Sequence, residues 1–123
     1  VKDWTVLLVD DEVEFTSALA ERLSFRGIRA QTAGDGEEAL AMIERDPPQV
    51  VLLDLMMPGM SGVEVLQEIR RTHPEIKVIL LTGHGSTREG MEGMRLGAFD
   101  YLMKPLSIEE LMEKLRNAVE QKS

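Results

Sequence analysis

The chain has 123 residues, 43% hydrophobic and 29% charged, a composition that suits one domain with its own core. Its 22 acidic and 14 basic residues leave a net charge of −8, which argues against direct nucleic-acid binding, because basic side chains supply most of that affinity. Cysteine is absent, which excludes disulfides and thiolate metal sites and fits a reducing cytoplasm, and no apolar run approaches the roughly 20 residues of a membrane span.

Along the chain, short apolar segments alternate with longer amphipathic ones. Trp4 to Val9 is a near-continuous apolar run, as expected of a strand buried on both faces. Phe15, Leu19 and Leu23 then recur at helical spacing, and Gly27 sits where that helix should end. Ile28 to Ala33 reads as a second strand. Ala39, Leu40 and Ile43 mark the next helix, closed by Pro47 and Pro48. Val50 to Leu53 is a third strand, and Ser61 with Glu64 fits the capping-box pattern of a helix start. Val78 to Leu81 is a fourth strand, followed by a second such box, Ser86 with Glu89, and by Gly97 at a helix end. Phe99 to Leu102 is a fifth strand. A third box, Ser107 with Glu110, opens a helix in which Ile108, Leu111, Met112, Leu115, Ala118 and Val119 share one face. A β-α unit repeated five times implies a parallel sheet with helices on both faces, here as a single domain over residues 1–123.

Asp10 and Asp11 end the first strand and Asp54 ends the third. In a doubly wound sheet these strands are neighbours at the switch point, and ligands bind beyond their carboxyl ends. Two like charges about 4 Å apart repel by about 4 kcal/mol at an effective dielectric near 20. Three converging carboxylates therefore call for a cation, and Mg²⁺ suits a few carboxylates, a backbone carbonyl and waters. Taken singly, each aspartate is equally well a helix cap or a solvated loop residue. Lys104 follows the fifth strand and can reach over the same edge or remain solvated; it precedes Pro105, so the bond between them is one that reaches cis more easily than others. Thr82 ends the fourth strand, where it serves β propensity or offers a hydroxyl to an oxyanion. Gly83, His84 and Gly85 follow, with neither the Gly-Lys-Ser/Thr nor the GxGxxG pattern of nucleotide loops.

The pair Asp10-Asp11, Asp54 within Asp-Leu-Met-Met-Pro-Gly-Met-Ser-Gly, Thr82-Gly83, Tyr101 and Lys104-Pro105 together resemble the receiver domain of two-component response regulators, in order and over essentially the whole chain. The Thr-Gly-His-Gly stretch resembles receivers attached to transcriptional activators of the nitrogen-regulator type. The resemblance implies a flavodoxin-like (βα)5 fold with strand order 2-1-3-4-5. It also implies roles. Asp54 would accept a phosphoryl group from the phosphohistidine of a sensor histidine kinase or phosphotransfer protein. Asp10, Asp11, Asp54 and the Met56 backbone carbonyl would hold Mg²⁺, for which Mn²⁺ can substitute. Lys104 would pair with the phosphoryl oxygens, Thr82 would hydrogen-bond to them, and Tyr101 would change rotamer. The output would pass through the fourth helix, fifth strand and fifth helix to an effector domain or partner protein, with transcription the expected target and a homodimer on phosphorylation one form of output. The expected chain is a cytoplasmic switch labelled once, not a turnover enzyme.

Two other readings share the fold. An aspartate-nucleophile phosphohydrolase would carry a second Asp two places after the first, where this chain has Met56, and a flavodoxin-like flavin binder would lack the acidic pocket. The fourth helix contains Gly90 and Gly93, each costing about 1 kcal/mol relative to alanine in a helix interior. They serve either close packing or easy repacking. The methionines Met56, Met57, Met60, Met91, Met94 and Met103 are either core filler or an adaptable docking surface. His73 reads as a surface residue at a helix end, Trp4 as packing, and Glu109, Glu110 and Glu113 as a solvated face.

Overall fold

In the computed structural model, residues 3–83 and 87–120 are described. Five strands, β1 (Thr5–Val9), β2 (Arg29–Ala33), β3 (Val50–Asp54), β4 (Lys77–Thr82) and β5 (Asp100–Met103), alternate with five helices, α1 (Val13–Ser24), α2 (Gly36–Arg45), α3 (Gly62–Thr72), α4 (Thr87–Arg95) and α5 (Ile108–Glu120). The strands form one parallel sheet in the order β2-β1-β3-β4-β5, the flavodoxin-like arrangement. Parallel neighbours need a crossover, and each crossover here is a helix.

Alternation along the strands sorts the core into two layers. Leu7 and Val9 of β1, Val51 and Leu53 of β3, and Val78 and Leu80 of β4 face Ala39, Ile43, Val65, Leu66 and Ile69 from α2 and α3. Val6 and Leu8, Val50 and Leu52, and Ile79 and Leu81 face Leu19, Leu23, Leu111, Leu115 and Ala118 from α1 and α5. Each such aliphatic side chain contributes about 1.5–3 kcal/mol on full burial. The three central strands are the apolar ones because both of their faces are covered. The edge strand β2 departs from that expectation: only Ala33 of its five residues is buried.

Local signals place the helices. The Glu64 N–H donates to Ser61 Oγ at 3.2 Å and the Ser61 N–H to Glu64 Oε1 at 2.9 Å, a complete capping box. The Glu110 N–H donates to Ser107 Oγ at 3.3 Å, while that hydroxyl donates to Glu109. Ser86, the proposed partner of Glu89, lies outside the described residues. Gly27 and Gly97 both have positive φ, +79° and +112°, at the helix ends where left-handed backbone was expected. Strand ends differ from the sequence reading by one residue: β1 and β2 begin after Trp4 and Ile28, β3 gains Asp54, β4 gains Lys77 and Thr82, and β5 starts at Asp100 and includes Met103. His73 stands at a helix end as read, but half-buried rather than fully at the surface. It caps α3 with a side chain only 16% exposed, near Glu44.

Candidate functional site

Register puts two acids at one level. Val9 of β1 is paired with Leu53 of β3, so one residue further on Asp10 and Asp54 stand side by side at the carboxyl edge. Both share the strand parity of Leu8 and Leu52 and emerge on the α1/α5 side. Lys104 continues the parity of Leu102 and converges on them from β5. Thr82 has the opposite parity, that of Leu80, and faces α4.

Asp10 and Asp54 are buried, 2% and 7% exposed, whereas Asp11 is exposed. One carboxylate oxygen from each of Asp10, Asp11 and Asp54 lies within 4.8 Å of the others. At that spacing each charged pair repels by roughly 3 kcal/mol at an effective dielectric near 20. Burial pushes the Asp54 carboxyl up to about 6, and the neighbouring Asp10 charge adds to the rise; Lys104 and the Met56 N–H, which donates to Asp54 Oδ1 at 3.3 Å, oppose it. Burial pulls the Lys104 ammonium down, but the Glu12, Asp10 and Asp54 carboxylates outweigh it and hold the group above the ordinary lysine range.

Lys104 Nζ stands 2.9 Å from Asp10 Oδ2 and 2.6 Å from Glu12 Oε1, and 5.0 Å from the centre of the Phe15 ring. The Lys104–Pro105 bond is cis. Apart from that ion pair, Asp10 Oδ2 is a buried oxygen that accepts no hydrogen bond. A buried anionic oxygen in that state, beside two more carboxylates, suits a hard divalent cation that takes oxygen ligands. The donor set therefore fits Mg²⁺.

Thr82 is buried, and its hydroxyl donates to the Leu102 carbonyl at 3.2 Å. Tyr101 is half exposed on β5, with Lys114 Nζ 5.7 Å from its ring centre and held there by Asp100 at 2.9 Å. Thr82, Gly90, Met91, Met94, Tyr101 and Met103 line a groove of about 450 Å³ between α4 and β5. Met91 and Met103 are largely exposed there, and Met56 is exposed in the turn after Asp54, while Met57 is buried. His84 and Gly85 lie outside the described residues.

Sequence reasoning brought together Asp10, Asp11, Asp54 and Lys104, and all four converge. It missed Glu12 and Phe15, which hold the ammonium; the acidic run Asp10-Asp11-Glu12 was the available signal. Thr82 and Tyr101 stand beside the pocket and are not among the groups that touch its carboxylates.

Comparison with known proteins gives one consistent result. The family model for the response regulator receiver domain matches residues 6–116. The Transcriptional regulatory protein CpxR of Klebsiella pneumoniae is 45% identical over 90% of this chain and 47% of its own length. The Probable transcriptional regulatory protein TcrX of Mycobacterium tuberculosis is 42% identical over 91% of this chain and 48% of its own length. The chain thus spans about half the length of these relatives. Among solved structures, the receiver domain of NtrX from Brucella abortus superimposes with a TM-score of 0.90 at 35% identity, covering 95% of this chain and 99% of that one.

Proposed function

The chain belongs to the response regulator receiver family, and from that premise we propose that it is the phosphorylation-dependent switch of a two-component system, with Asp54 as the acceptor. One observation supports this above the others: Asp54 sits buried at a strand end with its carboxyl pushed up to about 6, beside Asp10, Asp11 and the Lys104 ammonium.

In the proposed reaction an oxygen of the ionised Asp54 carboxylate attacks the phosphorus of a phosphohistidine on a sensor kinase or phosphotransfer protein. A new P–O bond forms, the P–N bond breaks, and the imidazole leaves with its electron pair and takes up a proton. Such transfers depend on alignment and charge neutralisation. Asp10, Asp11, Asp54 and the Met56 carbonyl would hold Mg²⁺, or Mn²⁺ in its place, which when bound neutralises charge on the transferring group. Asp10 orients the Lys104 ammonium, and Lys104 pairs with the phosphoryl oxygens. Thr82 donates its hydroxyl to the same group, and Tyr101 moves into the groove that Thr82 faces.

The product replaces the single carboxylate charge of Asp54 with a phosphoryl group carrying about 1.5–2 negative charges and three strong acceptor oxygens. The change is then read at the α4–β5–α5 face by an effector domain or partner, with transcription as the target by analogy with CpxR and TcrX; dimerisation of that face is one way to read it. Labelling with phosphoramidate in millimolar Mg²⁺ tests the acceptor. Wild type should gain one phosphoryl group by mass, without multiple turnover, and Asp54→Asn should gain none. Labelling that survives this substitution, or that proceeds equally with and without EDTA, removes the proposal.

A further inference from the structure

Glu12 is misplaced for its local duty. It occupies the N-cap position of α1, where a short side chain normally accepts an N–H from the first turn, yet its carboxylate makes no capping hydrogen bond. Its backbone N–H is instead tied to Asp10 Oδ1 at 3.0 Å, and its side chain is spent on Lys104 at 2.6 Å. Among the described residues, Lys104 pairs within 4.0 Å with Asp10 and Glu12 and not with Asp54. The ammonium is therefore parked on the α1 side of the pocket, over the Phe15 ring.

We propose that Glu12 is a positioning residue that competes with the phosphoryl group for Lys104. This rests on the acceptor role proposed for Asp54. In the resting chain Glu12 and Asp10 share the ammonium. When the more highly charged phosphoryl group, with its three acceptor oxygens, takes the place of the Asp54 carboxylate charge, one partner has to yield. Asp10 is buried, so water cannot replace the ammonium at its carboxylate, and giving that partner up is costly. Glu12 has a side chain 64% exposed, so water takes over its carboxylate at little cost. Glu12 is thus the partner that lets go, and its hold on Lys104 opposes the labelled state.

The test uses Glu12→Gln, which keeps the length and removes the charge. The labelled fraction reached with phosphoramidate and Mg²⁺ should rise, and spontaneous loss of the phosphoryl group should slow, each by about two- to five-fold, the range that fits a mostly exposed carboxylate. A second measurement needs neither metal nor phosphate: a double-mutant cycle of Glu12→Gln with Lys104→Met, read by urea unfolding in EDTA. It should show favourable coupling of about two- to five-fold in the unfolding constant. A merely structural Glu12 would lower labelling when removed. If wild type is labelled but Glu12→Gln is labelled equally or less, or if the cycle shows no coupling, the inference is overturned. If wild type is never labelled, the acceptor reading fails, while the metal-free cycle still reports whether Glu12 holds Lys104.

Discussion

Helices α4 and α5 both pack beside β5, yet they are anchored by different means. α5 buries Ile108, Leu111, Leu115 and Ala118 against the sheet. The only buried residues of α4 are Gly90 and Gly93. A Cβ on Gly93 would lie 2.4 Å from Leu80 Cδ1, and one on Gly90 would lie 3.3 Å from Thr82 Cγ2. α5 is held by the apolar area it removes from water, whereas α4 is held by how closely its backbone can approach. The lesson is that two helices on one sheet can differ widely in what it takes to move them. The helix with little buried apolar surface is the one placed over Thr82.

Leu115→Ala should produce the largest effect, a loss of about 2–5 kcal/mol in urea unfolding, because it empties a fully buried position on α5. A loss below about 1 kcal/mol would erase the contrast with α4. Gly93→Ala should come next. The added methyl has to displace buried Leu80, costing about 1–3 kcal/mol, against a gain of about 1 kcal/mol in helix propensity. A clear net stabilisation would mean that this glycine serves softness rather than close approach.

The pocket flanked by these elements sharpens the contrast from another side, because the charge of Asp54 opposes folding. Burial and the Asp10 charge push the Asp54 carboxyl up to about 6 in the folded chain, against an ordinary value of 3.8. A carboxyl raised on folding contributes stability below its unfolded value, and that contribution is lost as pH rises through the folded one. In EDTA, wild type should therefore lose stability between about pH 4 and pH 6 relative to Asp54→Asn. The difference should be about 1–2 kcal/mol above that window, after discounting for solvent at the pocket mouth. Parallel pH profiles for the two proteins would show that Asp54 carries no such burden. The smallest effect is expected from Met91→Ser, within about 0.5 kcal/mol, since that side chain stands in solvent at the groove rim. A larger loss would show that the groove is part of the core after all.

Much of this was legible before any coordinates. The central strands announced themselves because burial on both faces leaves no room for polar residues. The three carboxylates could be brought together because strand order and register leave them one edge to occupy. Three features were not legible. The strand β2 was read from the sequence, but not its exposure: Arg29, Gln31 and Thr32 face solvent on this edge strand, and only Ala33 is buried. The cap Asp35, which accepts the Glu38 N–H at 2.8 Å while Glu38 accepts from Gly34, carries a readable Asp-x-x-Glu signal that serine-based boxes overshadowed. Glu12 follows two other acids and carries no sequence signal of its own; only its distance from Lys104 distinguishes it.

The bond from Thr82 to the Leu102 carbonyl has a consequence of simple arithmetic. A hydroxyl owns a single hydrogen, so it can satisfy the last strand or an oxyanion at the neighbouring strand tip, never both at full strength. Whatever draws that hydrogen away costs the Leu102 carbonyl this donor, and the loss falls on the strand that carries Tyr101 and Met103 to the surface.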